Sequence, residues 1–176
     1  MAAAIVALSV AAFREVKPVY FAVTPDMRIT EMVALSEPAM SRQALLNWAG
    51  ETVMNCLSLD FLHWQAKLRG VEREFAPEAF ASLVNSLHDG GHIRKITNQR
   101  LNMSAVLDGA PVLTSSGDAG GVGTWKMEIP LKISYQTSDA VLTVQSLKAE
   151  ATVRRVPFTE NPRGVVISQL LMTDAR

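Results

Sequence analysis

The chain has 176 residues, enough for one domain that buries about two thirds of the surface of its unfolded chain without the help of a disulfide or a metal. Its 17 basic and 17 acidic residues cancel, and no block of like charge occurs, which argues against direct nucleic acid binding. The single cysteine, Cys56, excludes an internal disulfide and a paired-cysteine metal or redox site, and we interpret it as a small core residue.

The first 13 residues are small or apolar, and charged residues follow at once. This run is too short to cross a bilayer, which takes about 20 residues, and no basic residue precedes it as in a secretory leader. We therefore expect residues 1–18 to be the end of a truncated transmembrane helix with a juxtamembrane linker. A buried or frayed terminal helix is the alternative, and a secreted protein with a processed leader is a third interpretation.

Residues 19–40 separate the apolar start from the first helix. An apolar extended run is followed by a turn at Thr24-Pro25-Asp26 and by weak alternation of apolar residues. This pattern predicts an extended arm or a short edge hairpin that links the membrane to the globular part.

The strongest helix signal begins after Ser41, which we expect to be the N-cap. Apolar residues recur three and four positions apart and form one stripe, which consists of Leu45, Trp48, Ala49, Val53, Cys56, Leu57 and Phe61. A shorter helical stretch is predicted over residues 64–73, weakened by Gly70.

A further helix is predicted to begin with Pro77 at its first position and to end at Gly90-Gly91. We expect its buried face to consist of Phe80, Leu83, Val84 and Leu87.

After Gly91 the apolar period changes to two, which predicts strands. We expect strands at residues 101–106, 111–114, 125–135, 141–156 and 164–172. In the fourth strand the apolar residues move from even to odd positions, which predicts a β-bulge near Gln145 or Ser146. Helices followed by antiparallel strands predict an α+β domain over residues 41–176, with N-terminal helices packed on one face of a curved antiparallel sheet.

Two segments suggest a ligand site at first sight. His88 and His92 stand four residues apart, but Gly90 and Gly91 interrupt the helix that would align them, and no third ligand stands at a recognisable spacing for a metal. The glycine-rich residues 117–123 lack the lysine and the following helix of a phosphate-binding loop, so they favour a hairpin loop.

Catalytic candidates are equally isolated in the sequence. Asp60 could act as a buried base only if a second polar group converged with it, and nothing in the pattern brings it to Tyr20 or Tyr135. Cys56 has no evident histidine partner. We therefore predict no catalytic, cofactor-binding or metal-binding residue, and a protein that is not an enzyme.

The most specific features are five segments in a fixed order. They are residues 19–26 (VYFAVTPD), 45–49 (LLNWA), 75–80 (FAPEAF), 155–157 (RVP) and 160–165 (ENPRGV). These segments resemble the DotI/IcmL family, which includes TraM of conjugative plasmids with type IVB transfer systems. The resemblance covers residues 19–171, and ENPRG is its most distinctive part. Ala76 departs from the pattern, because a capping Thr or Ser is expected before Pro77.

The resemblance implies an inner-membrane protein with one N-terminal span and a periplasmic domain. It implies a cystatin-like fold, similar to the periplasmic domain of the eighth VirB component of type IVA systems. The implied role is a non-catalytic core subunit of a type IVB secretion or conjugative transfer apparatus that forms a homo-oligomer and contacts other inner-membrane and periplasmic subunits. No cofactor is implied. The alternative is a small-ligand-binding or enzymatic domain of the same fold, because fold does not dictate function.

Overall fold

The structure is a computed structural model that describes residues 20–23, 29–32, 35 and 39–175. The chain divides into two compact units, Met1–Ala34 and Leu35–Arg176. In the first unit, β1 (Tyr20–Val23) and β2 (Ile29–Met32) pair as an antiparallel hairpin. Of the two alternatives for this arm, the hairpin is therefore the one observed.

The predicted membrane span, residues 1–18, lies outside the described part of the chain. None of the helices that the structure describes has both the length and the apolar character of a membrane span.

The second unit begins with helices and one very short strand. They are α1 (Arg42–Leu57), β3 (Leu59–Asp60), α2 (Trp64–Val71), a 3₁₀ turn (Glu72–Glu74), α3 (Pro77–Asp89) and α4 (His92–Gln99). Ser41 is the N-cap of α1, as predicted, and its hydroxyl accepts a hydrogen bond from the Ala44 N–H at 3.2 Å. Pro77 is the first residue of α3, also as predicted.

Five strands follow the helices: β4 (Asn102–Leu107), β5 (Val112–Ala119), β6 (Val122–Gln136), β7 (Val141–Arg155) and β8 (Val165–Asp174). They form a curled antiparallel sheet in the order β3-β4-β6-β7-β8, and β5 also pairs with β6. The predicted order of helices and then strands, and the α+β class, are confirmed.

One edge of β6 carries two strands end to end. β4 pairs with residues 131–136 of β6, and β5 pairs with residues 122–128. Pro130 lies between the two ladders and has no N–H to donate, while its carbonyl accepts a bond from the Asp108 N–H at 2.9 Å. The short connection from β4 to β5 lies beside Pro130, so neither strand needs an N–H donor from this residue.

The core lies between the helices and the inner face of the sheet. On β6, every second residue is buried, as the period of two predicts: Trp125, Met127, Ile129, Leu131, Ile133 and Tyr135. The outer face carries charges of both signs, such as Lys148, which contacts both Glu128 and Glu150 at 3.4 Å. One face of the sheet is therefore core and the other is solvated.

Three predictions about the helices are wrong. α1 ends at Leu57, so Phe61 is not part of its buried stripe and lies half-buried in the turn after β3. Phe80 and Val84 are only half-buried and pack against the core from its rim. Residues 92–99 form a helix, α4, where the sequence analysis expected only strands.

The predicted bulge near Gln145 or Ser146 is also wrong. The pairing of β6 with β7 is regular there and shifts only between Tyr135 and Gln136, at the hairpin end. Leu142 and Val144 do not follow the odd-numbered pattern of the buried residues because they are not part of the core. Each side chain is more than half exposed.

Candidate functional site

The turn that follows β7 contains the family-like ENPRG segment. Within it the Gly164 N–H donates to the Asn161 carbonyl at 2.8 Å, and the Val156 N–H donates to the Gly164 carbonyl at 2.9 Å. Gly164 has a φ of +70°, a conformation that other residues adopt only at a cost. The turn, residues 157–164, is therefore shaped by its own backbone bonds, and its last residue has to be glycine.

Asn161 joins this turn to the helical layer. Its side chain is buried, and its amide Nδ2 donates to the Arg73 carbonyl at 2.8 Å, 88 residues away in the chain. Its Oδ1 accepts from the Arg163 N–H at 2.8 Å. Both halves of the amide are thus used inside the protein.

Arg155 lies beneath the turn and is only 3% exposed. One terminal nitrogen, Nη1, donates to the carbonyls of Val156 and Gly164, the latter at 2.6 Å, and the guanidinium lies 4.6 Å from the centre of the Phe158 ring. Burial lowers the pKa of Arg155. Among the described residues no carboxylate pairs with it, and its buried Nε has no hydrogen-bond partner. Arg155 therefore acts as a clamp on the turn.

Glu74 connects the turn to α1. Its carboxylate accepts a bond from the Trp48 indole N–H at 2.9 Å and lies 3.7 Å from Nε of Arg163. Trp48 belongs to the family-like segment 45–49 and Arg163 to ENPRG, and Glu74, in the 3₁₀ turn, contacts both. The sequence analysis named Trp48 and Arg163 but missed Glu74 and Arg73, because the contacts are made only in the folded chain.

A second polar cluster lies where α4 meets β6. Nδ1 of His92 is 2.5 Å from the Tyr135 hydroxyl, and the two rings stack 6.3 Å apart. The Lys95 ammonium lies 3.8 Å from the centre of the Tyr135 ring. Burial, and then the charge of Lys95, lowers the pKa of His92, and burial raises the pKa of Tyr135. Both shifts favour the neutral forms of the histidine and the phenol.

His92 also borders a cavity of about 260 Å³ between the end of α3 and the ends of β7 and β8. Gln145 and Asp174 line the same cavity and hydrogen-bond to each other at 2.6 Å. The remaining lining is mainly apolar, with Leu57, Leu87, Met103, Ile133, Leu147 and Met172.

The two histidines that suggested a metal site have different surroundings. The ring of His88 packs edge-on against Trp64, at 5.7 Å between ring centres, while His92 contacts Tyr135. Within the described part of the chain, no three His, Cys, Asp or Glu side chains come together as a metal site would require.

Asp60 and Cys56 serve local structure. Oδ1 of Asp60 accepts from the N–H groups of Leu62 and His63, and its other oxygen lies 3.1 Å from the Lys67 ammonium. Partial burial would raise the pKa of this carboxyl, but these bonds outweigh it and lower the pKa to about 2. Burial raises the pKa of the Cys56 thiol to about 12, so it stays protonated. Neither group is poised as a base or a nucleophile.

The remaining candidates lie apart from these clusters. The glycine-rich stretch forms the β5–β6 hairpin, as predicted, with Gly120 and Gly121 in its two-residue turn. Ala76 is the N-cap of α3 and makes no side-chain cap bond. Tyr20 lies on β1, in the first unit.

Comparison with solved structures identifies the fold. The periplasmic domain of DotI is similar at 24% identity, with a TM-score of 0.73 over 77% of this chain and 97% of that one. A periplasmic fragment of TraM is 26% identical, with a TM-score of 0.72 over 77% of this chain and 98% of that one. VirB8 of Agrobacterium tumefaciens is 14% identical, with a TM-score of 0.53 over 80% of this chain and 98% of that one. The expected likeness to the eighth VirB component is therefore confirmed.

No curated protein matches the chain. The family model described as "Type-IV b secretion system, inner-membrane complex component" matches residues 1–174. The chain belongs to this DotI/IcmL family of type IVb secretion systems.

Proposed function

We propose that this protein is a non-catalytic scaffold subunit of the inner-membrane complex of a type IVb secretion or conjugative transfer apparatus. In this proposal residues 1–18 belong to a single membrane span, residues 19–40 form the connecting arm, and residues 41–176 form a periplasmic domain. The domain associates with copies of itself and with other inner-membrane and periplasmic subunits.

The observation that carries the proposal is the use of polar side chains in the family-like segments and in the adjacent 3₁₀ turn. Asn161, Arg155, Glu74 and Trp48 bind neighbouring parts of the same chain. A catalytic constellation needs a base, a second polar group and space for a substrate in one place. The polar groups described above join the turn after β7, the 3₁₀ turn and α1, which suits a domain whose task is to present surfaces.

The charges on the outer face of the sheet support a protein partner. Lys132 pairs with Asp108 at 2.6 Å, and Lys148 lies between two glutamates. Such a balanced face does not provide the continuous basic surface that a nucleic acid backbone needs. Direct nucleic acid binding is therefore not part of the proposal.

The test uses cells that carry the transfer apparatus but lack this chain. Supplying the chain should restore transfer, and photo-crosslinkers on the outer face, for example at Lys126 or Glu150, should capture other inner-membrane subunits. His92→Gln and Asp174→Asn should keep transfer within about twofold, since they change cavity groups that a scaffold does not use chemically. Loss of transfer with these folded variants would contradict the proposal.

The cavity beside His92 favours a second candidate, a small-ligand-binding domain. It combines an apolar lining with His92, Gln145 and Asp174, which is the general composition of a ligand site. Saturable binding of a small molecule that is abolished by Asp174→Asn would favour this candidate over the scaffold.

A further inference from the structure

Helix α4 is poorly stabilised at both of its ends. It has eight residues, and its N-cap, Gly91, makes no side-chain cap bond. Its C-cap, Arg100, has a φ of +52°, the only positive φ outside glycine in the described part of the chain. An arginine in this left-handed conformation is strained. Because short helices are marginal on their own, α4 depends on its packing against the rest of the domain.

Few side chains hold α4 in place. Its buried residues are Ile93 and Ile96. Its first residue, His92, contacts the Tyr135 hydroxyl of β6, and the Lys95 ammonium lies over the same ring. The charge state of His92 therefore acts directly on the contact between α4 and the sheet.

The imidazole of His92 fits closely between the end of α3 and β6. A Cβ on Gly90 would lie 3.0 Å from its Nε2 and 2.9 Å from its Cδ2, so the ring lies against the backbone of this glycine. Its other nitrogen, Nδ1, faces the Tyr135 hydroxyl. Protein atoms thus replace water beside the ring, and burial of this kind disfavours a charged imidazole.

The charges near His92 also oppose its protonation. The Lys95 ammonium is the nearest cation, and the N-terminus of a helix, where His92 lies, carries a positive partial charge. Burial, and then the charge of Lys95, lowers the pKa of His92, so the carboxylates in the surroundings do not reverse the effect. The titratable groups on the elements around His92 are Arg94 and Lys95 on α4, Tyr135 on β6, Asp174 on β8, and His88 and Asp89 at the end of α3, while α1, β4 and β7 contribute uncharged side chains to the cavity there.

We propose that α4 is an acid-sensitive flap, which closes on the sheet while His92 is neutral and opens when His92 takes up a proton. In the open state water hydrates the imidazolium and screens its repulsion with Lys95. Opening also takes His92 out of the wall of the cavity described above, so that Met103 and Ile133 become accessible from this side. The inference goes beyond the proposed scaffold function and does not depend on it.

The direction of the pH dependence follows from the two states of α4. In the open state His92 has the ordinary histidine pKa of about 6.5, and in the closed state its pKa is lower. The open state therefore binds the proton first as the pH falls, and its population rises below about pH 6.5 until the closed state is protonated as well. For one proton, the rise between about pH 7.5 and 5.5 is at most about tenfold.

Hydrogen exchange of the full chain in detergent solution tests the flap. After correction for the intrinsic exchange rate, amides in residues 92–101 should exchange several-fold faster at about pH 5.5 than at about pH 7.5. This exchange should depend little on dilute urea, because local opening exposes little surface, whereas amides of α1 should exchange more slowly and with a strong urea dependence. If α4 and α1 exchange at the same rate with the same urea dependence, α4 opens only when the whole domain unfolds, and the inference is wrong.

Substitutions at the histidines identify the group that takes up the proton. His92→Gln should abolish the acceleration in acid, because glutamine is polar but does not titrate. Lys95→Met should reduce the acceleration, since loss of the ammonium raises the pKa of His92 towards its ordinary value. The chain has three histidines, so His63→Gln and His88→Gln are the matched controls and should keep the acceleration. Acceleration that survives in His92→Gln, or that is lost in His88→Gln, would overturn the inference.

Arg100→Gly separates the strain at the end of α4 from the effect of the proton. Glycine adopts a positive φ at less cost than arginine, so opening should become several-fold rarer at each pH while the ratio between about pH 5.5 and 7.5 stays the same. Circular dichroism at both pH values confirms that each variant folds. Loss of the pH dependence in Arg100→Gly would show that the dependence arises at the C-terminal end of α4, and would overturn the role of His92.

Discussion

The two ends of β7 have opposite surroundings. At its C-terminal end, Arg155 is buried and clamps the following turn, and Asn161 binds the helical layer. At its N-terminal end, Leu142 and Val144 are exposed, and the described ladder with β8 begins only at Leu147. β7 therefore carries a buried polar contact at one end and an exposed apolar surface at the other. Substitutions at the first end should change the free energy of unfolding strongly, and those at the second should change it little.

Gly164→Ala should have the largest effect on folding. A Cβ at this position would collide with the Arg155 guanidinium and lie 2.9 Å from the Phe158 ring, in a residue whose φ is +70°. We expect a loss of about 3 kcal/mol in the free energy of unfolding, measured by urea denaturation. Gly117→Ala, where no neighbour lies within 4 Å, should be close to neutral. Equal stability of the two variants would show that the close contact between Arg155 and Gly164 does not constrain the turn.

Asn161→Ala should have the next largest effect. It removes the donor to the Arg73 carbonyl and the acceptor for the Arg163 N–H. Leaving these groups without partners should cost about 1–3 kcal/mol of unfolding free energy. Asn98→Ala, at an exposed position on α4, is the matched control and should change stability by under about 0.5 kcal/mol. A similar loss in both variants would show that Asn161 does not join the layers.

His92 should make the free energy of unfolding depend on pH. It contacts Tyr135, which pairs with Thr143 near the N-terminal end of β7. Because burial and Lys95 lower the pKa of His92 below 6.5, the unfolded chain binds this proton first as the pH falls. Stability should therefore decrease as the pH falls through about 6.5, and the decrease should level off below the folded pKa.

Unfolding curves between about pH 7.5 and 5.5 measure this dependence. His92→Gln should remove part of the slope. Tyr135→Phe keeps the histidine and should cost about 1 kcal/mol through the lost hydrogen bond. An unchanged slope in His92→Gln would show that another group is responsible.

Val144→Thr should have the smallest effect on folding. The side chain is exposed, and threonine keeps its branched shape, so the free energy of unfolding should stay within about 0.5 kcal/mol. Urea denaturation of the variant beside the parent chain measures this difference. A large loss of stability would show that Val144 belongs to the core and not to a surface.

Strong local patterns predicted most of the fold. The stripe from Leu45 to Leu57, the cap at Ser41 and the alternation along β6 each repeat one signal over many residues, and tertiary contacts did not override them. The helix α4 was missed because it is short, follows two glycines and has only Ile93 and Ile96 as buried residues. Its helical state depends on packing against the rest of the domain.

The sequence by itself determined the order of helices and strands, the buried face of the sheet and the family, because each depends on spacing or motifs within short segments. Only the tertiary structure decided that Glu74 meets Trp48, that His92 meets Tyr135 and that Leu142 and Val144 lie at the surface. These outcomes depend on where distant strands end and which neighbour covers them. The strand pattern alone suggested a bulge near Gln145 or Ser146, where the folded chain keeps a regular ladder between β6 and β7.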